Sequence, residues 1–158
     1  MREAILCAQA DVEVPMETAR EWFLSLEEHP ERYRFDTHEG FEFLEGGFGE
    51  VGARFRTRER FLFLKLELVF KLAEVDERAF SFWLARPSCI GVWGRFEIEK
   101  GSAGHSRVSL HIGSETRLGQ LLLRFFPVAT AIHRQICEEV RHIKQSMEAA
   151  GAARSLSA

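Results

Sequence analysis

The sequence predicts an α+β domain in which an antiparallel meander of strands lays its apolar face on one long C-terminal helix. Three observations predict it. From Pro127 onward, Ile132, Ile136, Val140, Ile143 and Met147 recur at spacings of three or four, which puts all five on one helix face. Most of the preceding chain alternates apolar and polar residues with a period of two, as half-buried strands do. The connections between those stretches are short, so neighbouring strands run antiparallel. Burying the helix stripe contributes roughly 7–15 kcal/mol, at about 1.5–3 kcal/mol per side chain. The sheet is the surface it needs.

Residues 3–14 alternate loosely and end at Pro15, which suits the first turn of a helix. Ala19, Trp22, Phe23 and Leu26 give that helix an apolar face. His29-Pro30 breaks it, and a second short helical turn follows through Tyr33. Residues 40–45 read as the second strand, and Gly46-Gly47-Phe48-Gly49 as a connection where positive φ costs little. Residues 53–72 hold strands three and four. Arg54, Arg56, Arg58 and Arg60 fall on one face, and Phe55, Thr57, Glu59 and Phe61 on the other. A two-residue hairpin at Leu62-Phe63 keeps every residue on its face and sets Arg58 opposite Glu67. Neither turn residue favours positive φ, so a longer loop is the alternative. Residues 79–85, 92–99 and 107–115 are strands five to seven; Trp83 and Trp93 have ambiguous parity. Residues 1–150 are expected to form a single domain, with 151–158 a flexible tail.

Composition narrows the function. The chain of 158 residues is 46% hydrophobic and 28% charged, ordinary for one soluble domain. Fourteen Phe against one Tyr suits a greasy interior or a cavity lining. A net charge of -3 argues against nucleic acid, and the arginine row is expected to be a solvated face paired with Glu67, Glu97 and Glu99. Cys7, Cys89 and Cys137 cannot complete a disulfide framework, and Cys7 and Cys137 read as small core residues. No signal-peptide pattern opens the chain and no run of apolar residues is long enough to span a bilayer, so a cytoplasmic location is expected. The six histidines show no paired ligand spacing, and neither GxSxG nor a phosphate-binding loop occurs. No metal and no cofactor are expected.

The element order, with Val12-Glu13-Val14-Pro15 entering a helix that contains Trp22, resembles the START-like (SRPBCC) superfamily, which includes the birch-pollen-allergen group and the polyketide cyclase/dehydrase and lipid-transport group. Gly46-Gly47-Phe48-Gly49, Val51-Gly52-Ala53-Arg54-Phe55 and the end through Ile143-Lys144 and Met147-Glu148 add to the likeness, which covers about residues 3–149. The resemblance implies a helix-grip fold: a curved seven-stranded antiparallel sheet around the last helix, two short helices after strand one, and an apolar cavity between sheet and helix. It also places residues 62–64, 87–90 and 118–126 around the cavity mouth as apolar loops. Such loops either mark ligand passage, a partner surface or transient membrane contact, or pack on one another and close the mouth.

The expected ligand is a small hydrophobic molecule such as a lipid, isoprenoid or polyketide-like compound. The candidate lining is Phe55, Thr57, Glu59, Phe61, Leu68, Phe70, Phe82, Phe96, Leu110, His133 and Ile136. A second reading is a cyclase/dehydrase-type enzyme with Glu59 or His133 as acid–base groups, since a carboxylate in an apolar cavity has a raised pKa. Against it, such a Glu more often sits near a strand end, reaching water or pairing with a cation such as His133 or an Arg. A protein-interaction module is the third reading, favoured by a filled interior. Fold alone does not choose among the three, and ligand identity, catalysis and oligomeric state are left open.

Overall fold

The alternating stretches form one sheet. In the computed structural model, which describes residues 3–157, the strands are β1 (Leu6–Val12), β2 (His38–Glu45), β3 (Arg54–Phe61), β4 (Leu64–Val75), β5 (Ala79–Arg86), β6 (Val92–Lys100) and β7 (Ser106–Ser114). All pairings are antiparallel, and the spatial order is β1-β7-β6-β5-β4-β3-β2. Helix α1 (Met16–Leu24) and two 3-10 turns, Ser25–Glu27 and Pro30–Tyr33, follow β1; α2 (Arg117–Arg124) and α3 (Val128–Ser157) follow β7. The curved sheet grips α3, which is the helix-grip arrangement.

Period-two parity sets what each strand presents inward. Across β3 and β4 the facing pairs are Phe55–Phe70, Thr57–Leu68 and Glu59–Leu66, all on the helix side. Arg58 does stand opposite Glu67, and the connection is the two-residue turn. Leu62 takes a φ of 55° there. The left-handed conformation costs a leucine about 1–2 kcal/mol. A slip of register would expose the inward Phe and Leu pairs, so the flanking strands hold the turn. On the outer face Arg56 pairs with Glu42 and Glu67, Arg58 with both, and Arg60 with Glu39. Glu97 and Glu99, expected beside this row, lie too far across the sheet; Glu97 pairs instead with Arg95 and His111.

The stripe on α3 divides into two halves. Val140, Ile143 and Met147 are buried against α1 and the sheet, in a core where Phe23 meets Phe96 at 4.9 Å, Phe80 at 5.3 Å and Phe48 at 5.8 Å between ring centroids. Trp22 is buried there too, its indole N–H donating to Ser146 Oγ at 3.0 Å. Nearer the helix start, Ile132 and Ile136 face a cavity. Gly94 lets the sheet pack close at this boundary, because a Cβ on it would lie 2.3 Å from the Phe82 ring.

Three further expectations change, and the parity left open for Trp83 and Trp93 is settled. Residues 118–126 are not an irregular loop: residues 117–124 are helical, opened by Thr116, whose Oγ1 accepts from the Gly119 N–H at 3.1 Å. The residues after Gly151, expected as a tail, continue α3 to Ser157, where Gly151 fits closely on Val14 and Arg154 pairs with Glu21. Cys7 is exposed, since its neighbours Leu6 and Ala8 take the inward parity. Trp83 and Trp93 face each other across β5 and β6 on the outer side, away from Phe82 and Gly94. Residues 1, 2 and 158, included in the expected domain and tail, lie outside the described residues. Among the described residues no helix is long and apolar enough to cross a membrane.

Ile143 is fully buried on α3. Ile143→Ala is expected to destabilise the protein by about 2–5 kcal/mol in chemical denaturation, through lost burial and a cavity the neighbours only partly fill.

Candidate ligand cavity

Between the sheet and the first half of α3 lies a cavity of about 360 Å³. Strands β3 and β4 supply Phe55, Thr57, Glu59, Phe61, Leu66, Leu68 and Phe70; β5 to β7 supply Phe82, Leu84, Val92, Phe96, Leu110 and Ile112. Helix α3 adds Ile132, Gln135, Ile136 and Glu139, and α2 roofs one side with Gly119, Leu122 and Leu123. The roof is pinned at its start. Ser114 Oγ and Thr116 Oγ1 both donate to the Ile90 carbonyl, at 2.7 and 2.9 Å, and Gly119 packs on the same carbonyl.

Every candidate lining residue except His133 borders this space. His133 turns away from it, and its Nε2 lies 3.8 Å from Cys137 Sγ. The cavity-facing positions of α3 are 128, 132, 135, 136 and 139, and one step from 132 to 133 turns the side chain about 100° away. Tyr33, His38, Gln135 and Glu139 line the cavity without figuring in the expected set. Gln135 and Glu139 fall within the helix period itself, so their spacing relative to Ile132 and Ile136 is the available signal. Tyr33 and His38 come from a non-periodic turn and a strand start, and carry no such signal.

These four residues join Thr57 and Glu59 in one polar cluster on an otherwise apolar wall. Glu59 Oε1 accepts from Thr57 Oγ1 at 2.7 Å and lies 3.2 Å from His38 Nε2; its Oε2 accepts from Gln135 Nε2 at 2.8 Å. The other imidazole nitrogen, Nδ1, is 3.3 Å from the Tyr33 carbonyl oxygen. Both ring nitrogens therefore face acceptors, and only the imidazolium can donate to both. Burial opposes that charge, but the Glu59 hydrogen bond and charge outweigh it, so the His38 pKa is raised. Burial likewise opposes the Glu59 carboxylate, yet His38, Thr57 and Gln135 together hold its pKa below the ordinary range. Glu59 is thus an ion-pair partner and not the raised-pKa acid of the enzyme reading, and the cation it pairs with is His38 in place of His133 or an arginine.

The raised carboxylate is Glu139. Burial pushes it up to about 7 and the Glu59 charge adds to this, while His38 and a hydrogen bond from Tyr33 act the other way. The Tyr33 hydroxyl donates to Glu139 Oε1, and burial followed by the Glu139 charge pushes the phenol well up. Two neighbouring carboxyls therefore have opposed protonation preferences, set by their donors. Among the described residues no group of His, Cys, Asp and Glu is arranged to hold a metal ion.

The rim of the cavity is apolar and open to solvent. Phe63 is 88% exposed and Phe126 78% exposed, and Leu62, Leu64, Leu118, Leu121 and Phe125 are exposed with them. These side chains do not pack together to seal the mouth. Of residues 87–90, Cys89 is exposed and Ile90 faces the cavity.

No protein-family model matches the chain, and neither does any curated protein. Solved structures do. The protein TTHA0849 from Thermus thermophilus is similar over 92% of this chain and 97% of its own, at 17% identity and a TM-score of 0.71. The ZhuI aromatase/cyclase from Streptomyces sp. R1128 is similar over 90% and 92%, at 12% identity and a TM-score of 0.66. Ara h 8.0201 is similar over 94% and 97%, at 14% identity and a TM-score of 0.60. The chain has the helix-grip fold that these proteins share.

Glu139 holds its proton more tightly in the folded chain than in the unfolded chain, with a pKa raised from 4.5 to about 7. Its contribution to stability is full below its unfolded pKa of 4.5 and is lost as pH rises through about 7. E139Q should therefore gain stability relative to the parent between about pH 5 and about pH 8, read from urea unfolding at each pH. A constant difference across that range would show that Glu139 is not held protonated.

Proposed function

We propose that this protein binds a small hydrophobic molecule in the cavity between sheet and α3. The observation that carries the reading is an interior space walled mostly by Phe, Leu and Ile, with its polar groups gathered at one place. A volume of about 360 Å³ lies within the range of small-molecule sites, roughly 300–1,000 Å³. Transfer of apolar surface from water supplies the affinity, and the polar cluster sets which end of the ligand goes in first. An open interior counts against the interaction-module reading, which a filled one would favour. Aromatase/cyclases and Ara h 8 among the fold neighbours are compatible with both binding and turnover.

A second reading, acid–base catalysis of the cyclase type, is supported by the Glu59–Glu139 pair. Glu139 would carry the proton, since a group titrating near neutrality both gives and takes one, and Tyr33 would orient it. Glu59 and His38 would supply a fixed charge pair beside the reacting atoms. The exposed rim supports transient contact with a membrane during loading, with Phe63 and Phe126 entering the interface and Lys65, Arg117 and Arg124 nearby for anionic headgroups.

Filling the space tests the first reading. Leu68 faces the cavity, and Leu68→Trp should weaken uptake of a fluorescent apolar probe at least about tenfold while the fold persists. Unchanged uptake would move the site elsewhere. The rim is tested by sedimentation with anionic vesicles: a Phe63→Asp, Phe126→Asp double variant should lose vesicle binding, and equal binding by both proteins would remove the membrane reading.

A further inference from the structure

Glu139 faces the cavity, and among the described residues no cation pairs with it directly. Its only protein donor among those residues is the Tyr33 hydroxyl. The other polar groups around it are already committed. His38 gives one ring nitrogen to Glu59 and the other to the Tyr33 carbonyl, while Thr57 and Gln135 both donate to Glu59. No lysine or arginine is among the described residues lining the cavity. An acidic ligand would bring a third carboxylate beside Glu59 and Glu139 and find the one imidazolium taken. A ligand cation would find a carboxylate with an unmatched oxygen and a phenolic oxygen able to accept a second hydrogen bond.

We propose that the cavity selects an apolar molecule bearing a protonated amine, its ammonium seated against Glu139 and Tyr33, and that it rejects fatty-acid-like carboxylates. This rests on the reading that the cavity binds hydrophobic ligands, and it names their polar end. Desolvating an ammonium is unfavourable unless an opposite charge is fixed at hydrogen-bond range, and Glu139 is so placed. The body of the ligand lies along Phe55, Leu68, Phe82 and Leu110. Binding should strengthen as pH rises through the titration of Glu139, with Tyr33, His38 and Glu59 as the other titratable groups facing it. An alkyl amine stays charged throughout that range.

Three probes of one shape make the test: 1-naphthylmethylamine, 1-naphthalenemethanol and 1-naphthoate, titrated calorimetrically into the unmodified protein. At about pH 8 the amine should bind about tenfold more tightly than the alcohol, the order expected of one charge-assisted hydrogen bond, and the naphthoate should be weakest. The preference for amine over alcohol should shrink at about pH 6, where Glu139 takes up a proton. In Glu139→Gln the ratio of amine to alcohol affinity should fall towards one, with circular dichroism confirming that the variant is folded. Naphthoate binding as tightly as the amine, or a preference that survives in E139Q, would overturn the assignment. Failure of all three probes to bind would instead sink the cavity-binding reading, and the amine assignment with it. The ranking on the unmodified protein stands whatever the folding of the variant.

Discussion

A helix of thirty residues with an apolar stripe must be covered along its length, and here the sheet and α1 cover only part of it tightly. Around Ile143 and Met147 the phenylalanines of α1 and the sheet close down to ring–ring contact. Around Ile132 and Ile136 the sheet curves away and leaves space. The same helix is therefore a structural spine at one end and a cavity wall at the other. Stability and cavity volume draw on different turns of one element, so substitutions in the core half need not disturb the cavity half.

At the open end the seam between α3 and strands β2 and β3 includes polar contacts. Gln135 reaches Glu59, and Tyr33 reaches Glu139. Polar groups in a low-dielectric setting are unfavourable unless matched, and Glu59 is matched three times over while Glu139 is matched once. This inequality separates two chemically identical side chains into a fixed charge and a titrating group.

Much of the fold is legible in the sequence because strands and amphipathic helices write their burial into periodicity. The parity of Phe55, Thr57, Glu59 and Phe61 locates one cavity wall, and the stripe from Ile132 to Met147 locates the helix that faces it. What periodicity cannot carry is contact between segments that lack a period. Tyr33 and His38 reach Glu139 and Glu59 only because a 3-10 turn and the start of β2 are folded against α3. The expectation for His133 fails because a neighbour of a stripe residue on a helix points about 100° away. Helix α2 is hidden by a glycine and a closely following proline, although the Thr116 cap and Leu121-Leu122-Leu123 are present in the sequence.

The scarcity of tyrosine has an optical consequence. Tyr33 is the chain's one phenol, it lines the cavity with its hydroxyl donating to Glu139, and its ring lies 6.2 Å from that of Trp22. All tyrosine absorption and emission from this protein therefore originates at a single ring beside Glu139. Its excitation passes to an indole in the aromatic core. A molecule seated beside Tyr33 would therefore perturb one phenol alone, with no other tyrosine in the chain and only the indole bands to separate from it.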